Sequence, residues 1–443
     1  MKQWFLLPLA FLVIQAHSAE DTAAYFAESF TRPMANLGDA EREQFIRGRS
    51  LVRQSWVIAP SKDDDVDGLG PLYNRLACIS CHPRNGRGQA PDNADERMRS
   101  MLVRLSVPGS DIHGGPKPHP VYGGQLNEEG IPGVPGEGRA FIQWQEVKKL
   151  TLPGGEKVSL RRPKTEFREL AYGPLDDALF SLRVGQQMVG MGYLDAVSET
   201  TLERMASEKK PDGVRGRVNH VWNPETQRME AGRFGYKANM PTLRVQIAGA
   251  YAGDHGLTSP VFPDENCTPA QPACSKAPNG GLPELSREQL DDTEFYLAHL
   301  EIPARRKPDD PEIRKGEAVF ARVGCAVCHR QVLETDDYAR FPRLSRQKIQ
   351  PYTDLLIHDM GEGLSDDRPD YQAHGREWRT PPLWGIGLTV AVSEVHSYLH
   401  DGRARNLTEA IVWHGGEAGR AQNRFVQLPE KERKALLAFL NSL

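Results

Sequence analysis

Two runs of one form, Cys78-Ile79-Ser80-Cys81-His82 and Cys325-Ala326-Val327-Cys328-His329, carry the strongest chemical signal in this chain. The spacing sets two thiols one helical turn apart, where they can add to the two vinyl groups of one haem. The adjacent histidine then lies under the iron as its proximal ligand. A zinc site built from the two Cys-x-x-Cys pairs would leave the histidine after each pair without a purpose. The runs therefore predict two covalently bound haem c groups, attached through Cys78, Cys81, Cys325 and Cys328, with His82 and His329 on the irons. That uses four of the six cysteines. Cys267 and Cys274 remain, in the Pro-rich stretch 266–274, and an oxidising compartment would join them in a disulfide. The loop it closes is short, so its expected contribution is modest, about 2 kcal/mol.

The N-terminus points to such a compartment. Lys2 is followed by an apolar stretch from Trp4 to Ile14 and then by His17-Ser18-Ala19, with small residues where a signal peptidase would cut. Residues 1–19 read as a signal peptide and the mature protein as periplasmic. The apolar run is too short for a membrane span, and no later segment is long enough. A net charge of −4 is mild and gives no pointer to nucleic acid or to a membrane surface.

The elements that must hold these groups are short. With 41 glycines, 33 prolines and only 39% hydrophobic residues, the chain predicts brief helices joined by long loops, which an apolar porphyrin would complete as a core element. A helical entry precedes each motif, over 40–53 and over 310–320, the second with Pro311 in its first turn. Ser286 opens a further helix to Leu300, with Gln289 three positions on in a capping-box pattern. The break at Ile302-Pro303 and the basic stretch 305–308 mark a boundary. A faint repeat, Gly232 to Arg244 against Gly375 to Trp384, suggests two related units in tandem. The expected fold is mainly α: two tandem cytochrome c-like haem domains with long loops, over 20–284 and 285–443. A small β insertion over about 120–172 interrupts the first, with a hairpin turning at Pro153-Gly154-Gly155. The insertion is expected to pack beside the helical domain without carrying chemistry.

Longer stretches carry a family resemblance. They are Asp67 to Asn74, Cys81-His82 with Asn85 to Gly88, Gly232 to Ala238, Leu355 to Gly361, Glu377 to Gly387, and Tyr398 to Ala404. From about residue 40 to the C-terminus the chain resembles the di-haem oxidoreductase family, also described as thiol-oxidoreductase-like. That family is a distant relative of the bacterial di-haem cytochrome c peroxidases and of MauG. The resemblance implies a division of labour. The C-terminal haem is six-coordinate and relays electrons, while the N-terminal haem presents an open face to hydrogen peroxide.

The same resemblance suggests ligands. Relatives take the second axial ligand of the C-terminal haem from a tyrosine-leader segment, a helix, and then a methionine or tyrosine. Here that position falls on His414, giving bis-His coordination with His329, which lowers the reduction potential relative to a thioether ligand. Met360 and His358 are the rivals. For the N-terminal haem, the relatives' distal glutamate and its glutamine map onto Asp195 and Gln187, as general acid/base and hydrogen-bonding partner. The aspartate is shorter than the family's glutamate, and the family's upstream tryptophan is absent. Asp195 reads equally well as a residue capping the helix from Val197 to Glu208. His113, His119 and His255 are alternative occupants of the sixth position, each also readable as structural. Trp384 reads either as an electron bridge or as a buried aromatic. Calcium between the domains, as in some peroxidase relatives, has no dedicated ligand run.

Three functions follow. The resemblance favours a peroxidase-like enzyme that reduces hydrogen peroxide, fed by a small donor cytochrome or cupredoxin. The others are MauG-like oxidation of a partner protein, and a di-haem electron carrier with no substrate site.

Overall fold

A computed structural model describes residues 25–63 and 65–443. The expected signal peptide, residues 1–19, lies outside the described residues. No helix among them is long and apolar enough to cross a membrane.

Two helix pairs flank the motifs. The Asp39–Arg53 helix begins with Asp39 and Glu41 in its first turn, and Glu41 Oε2 accepts from the Gly38 backbone N–H at 2.8 Å. Acids there complement the helix dipole and satisfy a free N–H. Its buried face, Phe45, Gly48 and Val52, lies against the Arg287–Ala298 helix. Ser286 and Gln289 cap that second helix reciprocally, at 3.1 and 2.9 Å. The second pair repeats the arrangement. The Pro311–Val323 helix, capped by Asp310 and ended by Gly324 at φ 97°, crosses the C-terminal Glu430–Ser442 helix.

Each crossing is made at a glycine because the backbones come too close for a side chain. A Cβ on Gly316 would stand 1.9 Å from the Ala435 carbonyl oxygen, and one on Gly48 would stand 1.9 Å from that of Asp292. Gly316→Ala is therefore expected to destabilise the fold by about 1–3 kcal/mol, as overpacked cores do. A lower denaturant midpoint at unchanged slope would be the readout, and an unchanged midpoint would contradict the close crossing.

The mainly α, tandem cytochrome c-like expectation is corrected. The described residues are 31% helical and 17% strand, with many small sheets. Six antiparallel pairs stand among the described residues. Met101–Ser106 pairs with Leu179–Val184 in a register from Met101↔Val184 to Ser106↔Leu179. The segments alternate apolar and polar residues over Val103–Ser106 and Phe180–Val184, a short strand signal that the helical pattern around the motifs overshadows. The hairpin turns where the Pro-Gly-Gly sequence lies, pairing Arg139–Thr151 with Lys157–Arg168, with a bulge between Glu146 and Lys148.

This hairpin does not stay beside the first motif. Leu152, Val158 and Leu160 at its tip join Phe320, Phe439 and Leu440 in one hydrophobic cluster. The guanidinium of Arg433, on the C-terminal helix, donates to the Pro153 carbonyl and to Glu156, both at 2.9 Å. The larger cluster runs from Phe30 to Val392. Cys267 and Cys274 are joined in a disulfide.

Candidate functional site

In the first motif, residues Cys78–Ser80 form one tight helical turn, and the His82 N–H donates back to the Cys78 carbonyl at 3.0 Å. The His82 side chain is fixed from behind, with Nδ1 2.5 Å from the Gln186 carbonyl oxygen. A carbonyl only accepts, so Nδ1 carries the hydrogen and Nε2 keeps its lone pair. Burial lowers the His82 pKa, which keeps that lone pair free. The motif opens into a cavity also lined by Met188, Met240, Leu243, Gln246 and Tyr251.

The second motif opens into another cavity, with apolar walls that include Phe320, Leu383, Ile411 and Leu440. His329 and His414 both line it, and each is held in the same way as His82. His329 Nδ1 lies 2.9 Å from the Tyr352 carbonyl, and His414 Nδ1 lies 2.8 Å from that of Ala410. Burial pushes His329 down to about 4 and lowers His414 as well, so two neutral imidazoles offer Nε2 to one cavity. Gln186, Gln187, Met191, Tyr236 and Arg379 line both cavities and form the wall between them.

The profile described as "Di-haem oxidoreductase, putative peroxidase" matches residues 15–443. The chain belongs to the di-haem oxidoreductase family. No curated protein matches it. Among solved structures, Kuenenia stuttgartiensis hydrazine synthase is similar at 15% identity, over 99% of this chain and 100% of its own. The TM-score is 0.35, too low to establish a shared fold.

Membership makes haem the cofactor of this oxidoreductase, and the residues present fit it. Each cavity offers a neutral imidazole nitrogen to an iron and apolar walls to a porphyrin. The first is also rich in cations: Arg75, Arg104, Arg183 and Arg379 line it, with the carboxylates Asp254 and Asp370. Arg75 is paired with Glu128 at 3.1 Å, but others are short of partners. Arg183 Nη2 is buried and makes no hydrogen bond, and its nearest carboxylates, Asp366 and Asp370, stand at 3.7 Å. A buried guanidinium N–H group left without an acceptor is costly, and a haem propionate is an anion that could supply one.

The other expected residues divide. His358 is buried between Asp354, 3.0 Å from Nε2, and Glu417, 2.8 Å from Nδ1. Burial opposes its charge, but the carboxylates outweigh burial and hold its pKa well above the ordinary value. A cationic imidazole has no lone pair for iron, which removes His358 as a rival. Met360 lines the same cavity as His414. Gln187 sits in the shared wall, its Nε2 donating to the Trp384 carbonyl at 2.6 Å.

Asp195 lines neither cavity. Its carboxylate is buried and accepts from the Tyr338 hydroxyl at 2.6 Å, and burial raises its pKa to about 6. Nor does it cap the following helix, since Ser198 accepts from Thr201 N–H there. Trp384 likewise lines neither cavity, its ring lying against Gly190.

His113 stacks on Trp222, and His119 Nδ1 accepts from the Val121 and Tyr122 N–H groups, so both are structural. His255 lines the first cavity, but its Nε2 points at Cys78 Sγ, 3.6 Å away, and its Nδ1 bonds the Arg75 carbonyl. Among the described residues, Glu199, Glu203 and His220 form a cluster of possible cation ligands, with both glutamates exposed.

Sequence reasoning missed Asp254 and the arginines of the first cavity. Asp254 stands beside the candidate ligand His255, but only folding brings it to Cys78 and Cys81.

Proposed function

We propose that this is an exported, periplasmic c-type cytochrome that reduces hydrogen peroxide at the His82 haem. Electrons reach it from a small donor cytochrome or cupredoxin through the haem of His329 and His414. The observation that carries the reading is an asymmetry of imidazoles. The second cavity has two, each with Nδ1 fixed to a carbonyl and Nε2 free, enough to fill both faces of one iron. In the first, His82 is in that state, and His255, whose Nδ1 also bonds a carbonyl, has its Nε2 turned to Cys78. The His255 Nε2 faces a sulfur that thioether formation would leave at the porphyrin rim, not over the iron.

Bound haem supplies the iron that exchanges electrons with oxidant and donor. The chain's own part is to bind, orient and move protons. Gln186 holds His82 from behind, and Gln187 braces the wall between the sites. Reducing peroxide to water also consumes protons, which need a carboxylate inside the first cavity. Asp254 fits that role better than Asp195. It lines the cavity, Gln125 Nε2 fixes its Oδ1 at 2.8 Å, and among the described residues it forms no ion pair.

The optical spectrum of the ferric protein tests the reading. Two covalently held haems are expected, one low-spin and one with a high-spin component that peroxide or cyanide perturbs. Two low-spin haems in every redox state would make the protein an electron carrier instead.

A further inference from the structure

Arg379 is the strongest feature that the reading above leaves unused. Its side chain is buried, and among the described residues no carboxylate comes within 4.0 Å of the guanidinium. What it does have are neutral acceptors: the Gly235 carbonyl at 2.8 Å from Nε, Gln186 Oε1 at 3.0 Å from Nη2, and the Thr380 carbonyl at a long 3.4 Å from Nη1. Burial without a counter-charge lowers its pKa to about 10. Keeping such a cation costs several kcal/mol unless an anion joins it. A second feature is its place. Arg379 lines both cavities, and the residue it holds, Gln186, is the one whose carbonyl fixes His82.

We infer that Arg379 is a positioning residue shared by the two haems, giving a propionate carboxylate its counter-charge and setting the reduction potentials of both irons together. Arg104 and Arg183 line only the first cavity and Arg87 only the second, so Arg379 is the guanidinium that stands in the shared wall. A fixed positive charge favours the reduced iron, because reduction removes a positive charge beside it. The effect reaches both sites because the guanidinium stands in the wall that separates them. This inference rests on both cavities holding haem and is independent of whether peroxide is the oxidant.

The test is a spectroelectrochemical titration of the purified di-haem protein, resolving the two haems by their bands. In Arg379→Gln, which keeps hydrogen-bonding capacity and loses charge, the reduced-to-oxidised ratio at a fixed applied potential falls at both haems. The expected fall is about tenfold, the effect of a unit charge at roughly 10 Å and an effective dielectric of about 20. Arg379→Lys stays within about twofold of the parent near neutral pH.

Should Arg379→Gln fail to fold, the lysine variant alone decides. A buried lysine sheds its proton in the alkaline range, so both ratios drop together there while the parent's do not. A shift confined to one haem, no shift at either, or a lysine variant displaced as far as the glutamine one would overturn the inference. Haem content, measured on denatured protein, separates this outcome from failure of the sites themselves. Fewer than two covalently held haems overturns the sites and the coupling together.

Discussion

Replacing His414 by alanine is expected to turn one low-spin haem high-spin, leaving the other unchanged. The argument rests on ligand supply. Of the histidines that line the second cavity, His414 and His329 are the two whose Nδ1 is held by a backbone carbonyl with Nε2 left free, whereas His400 stacks on Trp378 beside Asp401. His358 cannot take the place of His414, since Asp354 and Glu417 occupy both of its nitrogens. Met360 lines the cavity and is the one remaining donor among the sequence candidates. A thioether that moved in would keep the haem low-spin but raise its potential, because it stabilises ferric iron less than imidazole does. The ferric optical and electron paramagnetic resonance spectra separate these outcomes. A low-spin haem with an unchanged potential would remove His414 from the ligand set. With the relay haem opened, turnover supported by a donor cytochrome should fall more than tenfold, since electron delivery depends on its potential.

How much of this was legible beforehand depends on how local each feature is. The Cys-x-x-Cys-His runs and the capping box at Ser286 lie within a few residues, so their geometry follows from the sequence. The hairpin was legible for the same reason, because its Pro-Gly-Gly turn lies between its own strands. The pairing of Met101 with Val184 was not, because nothing near either residue names its partner. The family resemblance points to Gln187 and Asp195, and their neighbourhood does supply Gln186, Gln187 and Met191 to both cavities. At Asp195 itself the sequence is silent on the fact that a tyrosine 143 positions on donates to the carboxylate. Arg379 was visible inside a quoted family stretch. Its meaning is a missing counter-ion, and that is a property of three-dimensional surroundings.

Two aspartate substitutions should give opposite results. Asp254→Asn removes the carboxylate that lines the first cavity while keeping its size and an acceptor for Gln125. Peroxide turnover is expected to drop about 10²–10⁴-fold, the usual worth of a positioned proton-transfer group, with both haem spectra nearly intact. Asp195→Asn leaves turnover within a few-fold, because that residue lies outside both cavities, and changes the pH dependence of stability instead. Burial raises the Asp195 pKa from 3.8 to about 6. Below about pH 4 the carboxyl is protonated folded or unfolded. As pH rises toward 6, the unfolded chain releases the proton first, so the folded state loses stability across that window, by about 3 kcal/mol in all. Above it the loss is constant. The asparagine, which still accepts from Tyr338, has no proton to lose, so its denaturation midpoint should lack that decline between about pH 4 and 6. Loss of turnover in Asp195→Asn with none in Asp254→Asn would restore the assignment that family resemblance alone suggests, and would require the Met191–Asp195 helix to rearrange when haem binds.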